Sequence, residues 1–234
     1  MMQQNRKIKY LNLLHIASVS LIAVLVCWPI FMALTTFDGT TQQQLLLISD
    51  NLILYVINFV VASFISPLFT FVLVVFVLIL ISEKILNKTI LIVATCLLLV
   101  YVVLSSISYL SQVFVFSSLI SQQEFTHAPF YYFNNHLSVV FIINQLGYVF
   151  FASGVIVVGY KLLFQKGILK SIAIIMFLSA ILSILAFIGL LINQPFLQMF
   201  SVVSGLFALG LAITILLYSM QQKNLIKKRV RTQS

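Results

Sequence analysis

The sequence predicts an all-α fold, a polytopic transmembrane helical bundle of six spans with both termini in the cytoplasm (N-in/C-in). Three observations carry that reading. Of 234 residues, 62% are apolar and 7% charged, whereas soluble domains carry roughly 25% charged residues. At a mean hydropathy of +1.17 there is too little polar surface to cover a soluble particle. Next, the chain is a succession of apolar runs that reach or exceed the ~20 residues a helix needs to cross a bilayer. Finally, all 13 Lys and Arg residues fall on alternate connections or their helix ends and at the two chain ends. Basic short loops mark the cytoplasmic face. The formal charge of +9 is therefore a topology signal, and no nucleic-acid partner is expected.

Each element can be justified in turn. The first span, residues 11–34, follows Arg6, Lys7 and Lys9. It exceeds the ~7–15-residue apolar core of a signal peptide and has no small-residue cleavage site, so it reads as a retained helix. Thr35–Asp50 reads as a polar loop with a short apolar interior. The second span, 51–82, would run ~48 Å as one helix, beyond a ~30 Å hydrocarbon core. Pro67 after Ser66 predicts a kink there, because proline removes a donor and clashes with the preceding turn. Glu83–Thr89 is a charged turn, and the third span, 90–119, is again overlong. Pinned at that turn, both helices are expected to project their surplus outward. There they would support Ser121–His136, the longest segment not built for lipid.

The fourth span, 137–164, ends at a basic turn. The fifth and sixth, 171–192 and 196–218, are joined by Asn193-Gln194-Pro195 and so are antiparallel neighbours. Small residues at helical spacing are expected to seat them together: Ser179, Ser183 and Ala186 on one, Ser201, Gly205, Ala208 and Ala212 on the other. Residues 1–234 form a single transmembrane domain, with 219–234 as a basic cytoplasmic tail suited to anionic headgroups. Cys27 and Cys96 differ in predicted depth by ~15 Å at ~1.5 Å per residue, too far for a disulfide.

Two sets of residues are candidates for function. The first is extracytoplasmic: Glu124, His127, Tyr131, Tyr132, Asn135 and His136. Glu124 and His127 stand three apart, as a carboxylate and an imidazole on one helical face would. No paired ligand motif accompanies them, so a solvated loop anchored by Phe130, Tyr131, Tyr132 and Phe133 at the headgroups is the plainer reading. The second set is intramembrane: Asn58, Gln112, Asn144, Gln145 and Tyr148 either line a polar cavity or serve as interhelical hydrogen-bond glue. His15, about one turn inside the cytoplasmic boundary, suits an interhelical partner. No phosphate loop, dinucleotide fingerprint, nucleophile elbow or zincin motif is present. Neither a cofactor nor a metal is expected.

The stretch from Gln145 to Ile192, QLGYVFFASGVIVVGYKLLFQKGILKSIAIIMFLSAILSILAFIGLLI, combines a glycine-punctuated helix, a short basic turn and a small-residue-rich helix. In this it resembles uncharacterised bacterial six-helix integral membrane proteins, which implies a multi-pass protein of the bacterial cytoplasmic membrane and no particular activity. The leading expectation is a non-catalytic integral membrane protein that binds a lipid, a small apolar ligand, or a partner protein that includes a second copy of itself. A small-molecule transporter or permease subunit is the alternative, because broken helices line transporter sites. A membrane-embedded enzyme with an extracytoplasmic site is the third.

Overall fold

The computed structural model describes residues 2–231, and side chains for 7–228. The side chains of Arg6, Arg229 and Arg231 thus lie outside the described residues. Ten α-helices follow in order: α1 (Met2–Thr35), α2 (Thr41–Asp50), α3 (Leu52–Ser63), α4 (Ile65–Ser82), α5 (Lys88–Ser111), α6 (Ser117–Ser121), α7 (Val139–Leu162), α8 (Ile168–Leu191), α9 (Pro195–Gln198) and α10 (Phe200–Arg231). A π-helical turn, Gln112–Phe116, splices α5 to α6, and a 3-10 turn covers Ala128–Phe130. No strand occurs among the described residues. Six helical stretches are long and apolar enough to cross a membrane: Lys7–Thr35, Leu52–Ser82, Lys88–Ser121, Val139–Leu162, Ile168–Leu191 and Pro195–Lys228. The chain is a multi-pass membrane protein.

The spans pack in sequence order as a ring: α1 on α3 and α4, these on α5, then α7, α8 and α10, which returns to α1. The second span is the most buried of the six. Along α4, Phe69, Val72, Leu73, Phe76, Ile79 and Leu80 are all buried. Phe69 meets Phe151 of α7 edge-on at 5.0 Å, and Phe76 meets Tyr218 of α10 at 5.4 Å. The mean hydropathy of 3.0 for this span follows from its position, since a helix surrounded by others is apolar all round.

The break in the second span falls at Phe64, not at Pro67. Phe64 interrupts the helix, and Pro67 sits in the first turn of α4. That displacement is what proline chemistry dictates: its ring obstructs the turn before it, while the first turn has no donor to lose.

Caps define the other ends. Thr40 and Gln43 form a reciprocal capping box, with Gln43 Oε1 accepting from the Thr40 amide at 2.9 Å. They make α2 a helix where a polar loop was expected. Asn87 and Ser138 cap α5 and α7 through bonds to Ile90 N and Phe141 N at 3.0 and 3.2 Å. Three helices end on non-glycine residues with positive φ: Lys84 (61°), Gln123 (57°) and Asn193 (53°). Each end carries the paired bonds of a Schellman motif, for example Glu124 N to Leu119 O at 2.9 Å and Gln123 N to Ile120 O at 3.0 Å.

Glycine matters where backbones touch. A Cβ on Gly154 would meet Leu98 at 3.1 Å across the α5–α7 contact, and one on Gly189 would meet Leu197 Cβ at 2.5 Å. The α8–α10 contact corrects one expectation. Ser179, Ser183 and Ala186 are buried as predicted, but their partner on α10 is Ser204, bonded to Ser183 at 2.7 Å. A Cβ on Gly205 would enter open space. Gly205 faces away from the seam because the helical phase puts its neighbour there.

The start of α1 and the end of α10 lie at one end of the bundle, called the base here. Lys7 Nζ pairs with Glu83 Oε1 at 2.5 Å and donates to Gln222 Oε1 at 3.3 Å, while Tyr218 donates to Glu83 Oε2 at 2.8 Å. Glu83 thereby ties α1, α4 and α10 where the ring closes. His15 stands 3.5 Å from Ser219 Oγ across the α1–α10 contact, an interhelical partner as expected. Cys27 and Cys96 are free thiols.

Candidate functional site: the cap and the groove beside it

At the end opposite the base, α2, α6 and residues 122–138 form an ordered cap. Its platform is the far end of the third span. The π turn brings Gln112 and Phe116 inward together, and Ile120 of α6 follows them; all three are fully buried. Phe116 stacks on Tyr132 at 5.5 Å and leans on Tyr55 at 5.1 Å. Leu45 and Ile48 of α2 are buried too.

Gln112 is the fastening. Its Oε1 accepts from the Tyr55 hydroxyl at 2.9 Å and from the Phe133 amide at 3.3 Å; its Nε2 donates to the Tyr131 carbonyl at 2.6 Å. One side chain from the third span thus holds α3 and the cap backbone on both sides of Tyr132. A primary amide suits this place, because it offers two donors and two acceptor sites in a fixed plane.

The four consecutive aromatics divide two and two. Tyr132 and Phe133 point inward, 1% and 6% exposed; Phe130 and Tyr131 point outward, 60% and 37% exposed. A platform made by the outward surplus of the two long helices calls for Phe130 and Phe133 both at least partly buried; Phe133 is buried, and Phe130 is not. The 3-10 turn at Ala128–Phe130 ends with Phe130 facing out, and Gln112 then pins the backbone that follows. Phe133 contacts Phe59 at 5.2 Å, Tyr109 at 5.6 Å and Phe141 at 5.9 Å. Burial raises the Tyr132 phenol above its usual pKa, against the opposing hydrogen bond from Asn134, so it stays neutral.

Of the remaining candidates in the cap, Glu124 and His127 lie exposed on one turn, where the His127 amide bonds the Glu124 carbonyl at 3.3 Å. Asn135 is spent on the loop itself: it donates to Pro129 O at 2.9 Å and accepts from Leu137 N at 3.1 Å. His136 sits edge-on to Phe141 at 4.9 Å. Among the described residues no three His, Cys, Asp or Glu side chains gather as a metal site.

The intramembrane candidates occupy separate settings. Gln112 fastens the cap. Tyr148 shares a hydroxyl contact of 3.2 Å with Tyr109, beside Asn144. Asn58 donates to Thr35 Oγ1 at 2.9 Å and lines a small crevice under the cap. Gln145 is buried with its oxygen unpartnered among the described residues, as are the Asn144 Oδ1, Ser66 and Thr70 oxygens.

Beside the cap runs an open groove between α3 and the far end of the third span. One section, of about 470 Å³, is lined by Ile53, Ile57, Val113 and the hydroxyl residues Ser117, Ser118 and Ser121. A section of about 440 Å³ continues from Leu52, Ile53 and Ile57 to Ser49, Asp50 and Asn51. Its lining combines apolar Leu52, Ile53 and Ile57 with polar Ser49, Asp50 and Asn51. Ile53, common to both sections, is 80% exposed.

Sequence reasoning passed over Trp28, Tyr55 and this groove, and it read Glu83 as part of the pinning turn without its ties to α1 and α10. Glu83 had a signal, being the one acid among the basic turns; the others come together only through contacts between spans. No protein-family model matches the chain, and neither a curated protein nor a solved structure is similar to it.

Proposed function

We propose that this chain is a non-catalytic protein of the bacterial cytoplasmic membrane, N-in and C-in, that holds a phospholipid with an amine headgroup in the groove beside its cap. The observation that carries the reading is the groove's lining, which sets Asp50 beside the apolar side chains of Leu52, Ile53 and Ile57. Charge supports the choice of lipid. No Lys or Arg occurs between residues 10 and 83, 89 and 160, or 171 and 222. The cap end therefore offers an ammonium group three acids, Asp38, Asp50 and Glu124, and offers a phosphate neither Lys nor Arg. The same partition of charge supports the orientation. At the base, Lys223 and Lys227 near the end of α10 suit anionic headgroups.

Native mass spectrometry of delipidated protein, resupplied with phosphatidylethanolamine or phosphatidylglycerol, tests this. The amine lipid is expected to be retained preferentially, by about five-fold if Asp50 supplies ~1 kcal/mol. Asp50→Asn should erase the preference, and Ile57→Trp should lower retention of both lipids by filling the groove. Equal retention of both lipids by the unaltered protein would sink the reading.

A transporter is the second reading, supported by the buried Ser66 and Thr70 hydroxyls, which have no hydrogen-bonding partner among the described residues and stand just past the break at Phe64. Solute flux in liposomes that stops with Ser66→Val and Thr70→Val would favour it.

A further inference from the structure

A crevice under the cap joins three parts of the chain that are remote in sequence. Trp28 comes from α1, Asn58 from α3, and Phe133 and Asn134 from the cap. Its volume is about 10 Å³, room for about one water and nothing larger. The Trp28 indole N–H and the Asn58 Oδ1 are both buried, and neither meets a hydrogen-bonding partner among the described residues. Leaving each buried and unanswered is costly.

The chemistry of the two atoms is fixed by their surroundings. The Thr35 hydroxyl spends its proton on the Phe31 carbonyl at 2.9 Å, so toward Asn58 it can only accept. The Asn58 amide must then present its NH₂ to Thr35, at 2.9 Å, and its oxygen elsewhere. Trp28 offers only a donor, and its ring is held edge-on to Tyr109 at 6.4 Å. One wall therefore gives a proton and another takes one. A cation would find the indole N–H repulsive, and an anion would find the amide oxygen so. A neutral molecule that both accepts and donates satisfies both atoms.

We propose that this crevice is a binding site for one water molecule, held between the Trp28 N–H and the Asn58 amide oxygen. Exposed Thr36 and half-buried Asn134 form its mouth, so the water exchanges with the solvent over the cap. The water links α1 to α3 beneath the cap, in addition to the bonds of Gln112, and it stands independently of any lipid in the groove.

The chain has a single tryptophan, so its fluorescence reads this crevice alone. In nanodiscs, transfer from H₂O to D₂O should raise the intensity of Trp28 emission, because the indole proton exchanges with the bound water. Asn58→Leu removes the acceptor and fills the crevice. It should shift the emission to shorter wavelength and abolish the isotope effect while the helical circular dichroism is retained. An unaltered protein insensitive to D₂O would overturn the site, as would an isotope effect that survives in folded Asn58→Leu. Should that variant fail to fold, the isotope effect in the unaltered protein decides alone: present, it supports the site; absent, it removes it.

Discussion

Replacing Gln112 with leucine is expected to release the cap while leaving the six spans in place. The substitution keeps the volume roughly constant but strands three groups at once: the Tyr55 hydroxyl, the Tyr131 carbonyl and the Phe133 amide. A buried polar group left unsatisfied costs about 1–3 kcal/mol, so a loss of about 3 kcal/mol is the modest end of the expectation. The cap's other polar ties are mostly internal, as in Asn135 to Pro129 and Asn134 to Tyr132, and do not replace the lost ones. Limited proteolysis in nanodiscs should then cut between residues 122 and 138 many times faster than in the unaltered protein. An intact cap in Gln112→Leu would mean that aromatic packing alone holds it.

The second large effect separates two phenylalanines three residues apart. Phe133→Ala is expected to cost about 3–5 kcal/mol, the range for a buried aromatic truncated to alanine, because Phe133 wedges between Phe59, Tyr109 and Phe141. Phe130→Ala should stay within about 0.5 kcal/mol, as an exposed position without such contacts does. Thermal unfolding in a common detergent measures both. Similar shifts for the two would mean that the inward and outward division of the four aromatics is wrong.

What could be read from the sequence followed from the solvent. In hydrocarbon every backbone group must be paired within the segment, so long apolar runs had to be helices. Five spans were legible to within about four residues at each end, whereas the sixth runs on to Lys228, well past its expected end at Tyr218 and into the basic tail. The end of the Asn193 turn, the buried Ser179 and Ser183, and the base as the place where α1 starts and α10 ends were legible for the same reason. The cap was legible only as a place. Inside it, α2 looked like a loop because four of its first five residues are polar, although Thr40 and Gln43 had capping-box spacing and Leu45 and Ile48 the spacing of one helical face. Phe130 and Phe133 cannot be told apart by type; the turn before them and the reach of Gln112 decide which is inside.

Other details depended on phase. Ser204 and Gly205 are adjacent, and only the rotation of α10 chooses between them as the partner of α8. Proline was a sound signal for a break but marked the turn after it. Asn58 was legible as a polar-cavity candidate, but its place beside Trp28 was not, since the two sit on different helices.

The cap, the groove and the lipid assigned to it share one requirement: the cap must face away from the cytosol. Impermeant thiol labelling of intact cells tests this most directly. In a background with Cys27 and Cys96 replaced by alanine, single cysteines are placed at Gln122, an exposed cap residue with ordinary backbone geometry, and at Lys88, exposed at the base. The expected result is labelling of Gln122→Cys from outside and of Lys88→Cys only after the cells are opened. Labelling of Lys88→Cys in intact cells, with Gln122→Cys protected, would invert the molecule and contradict the account.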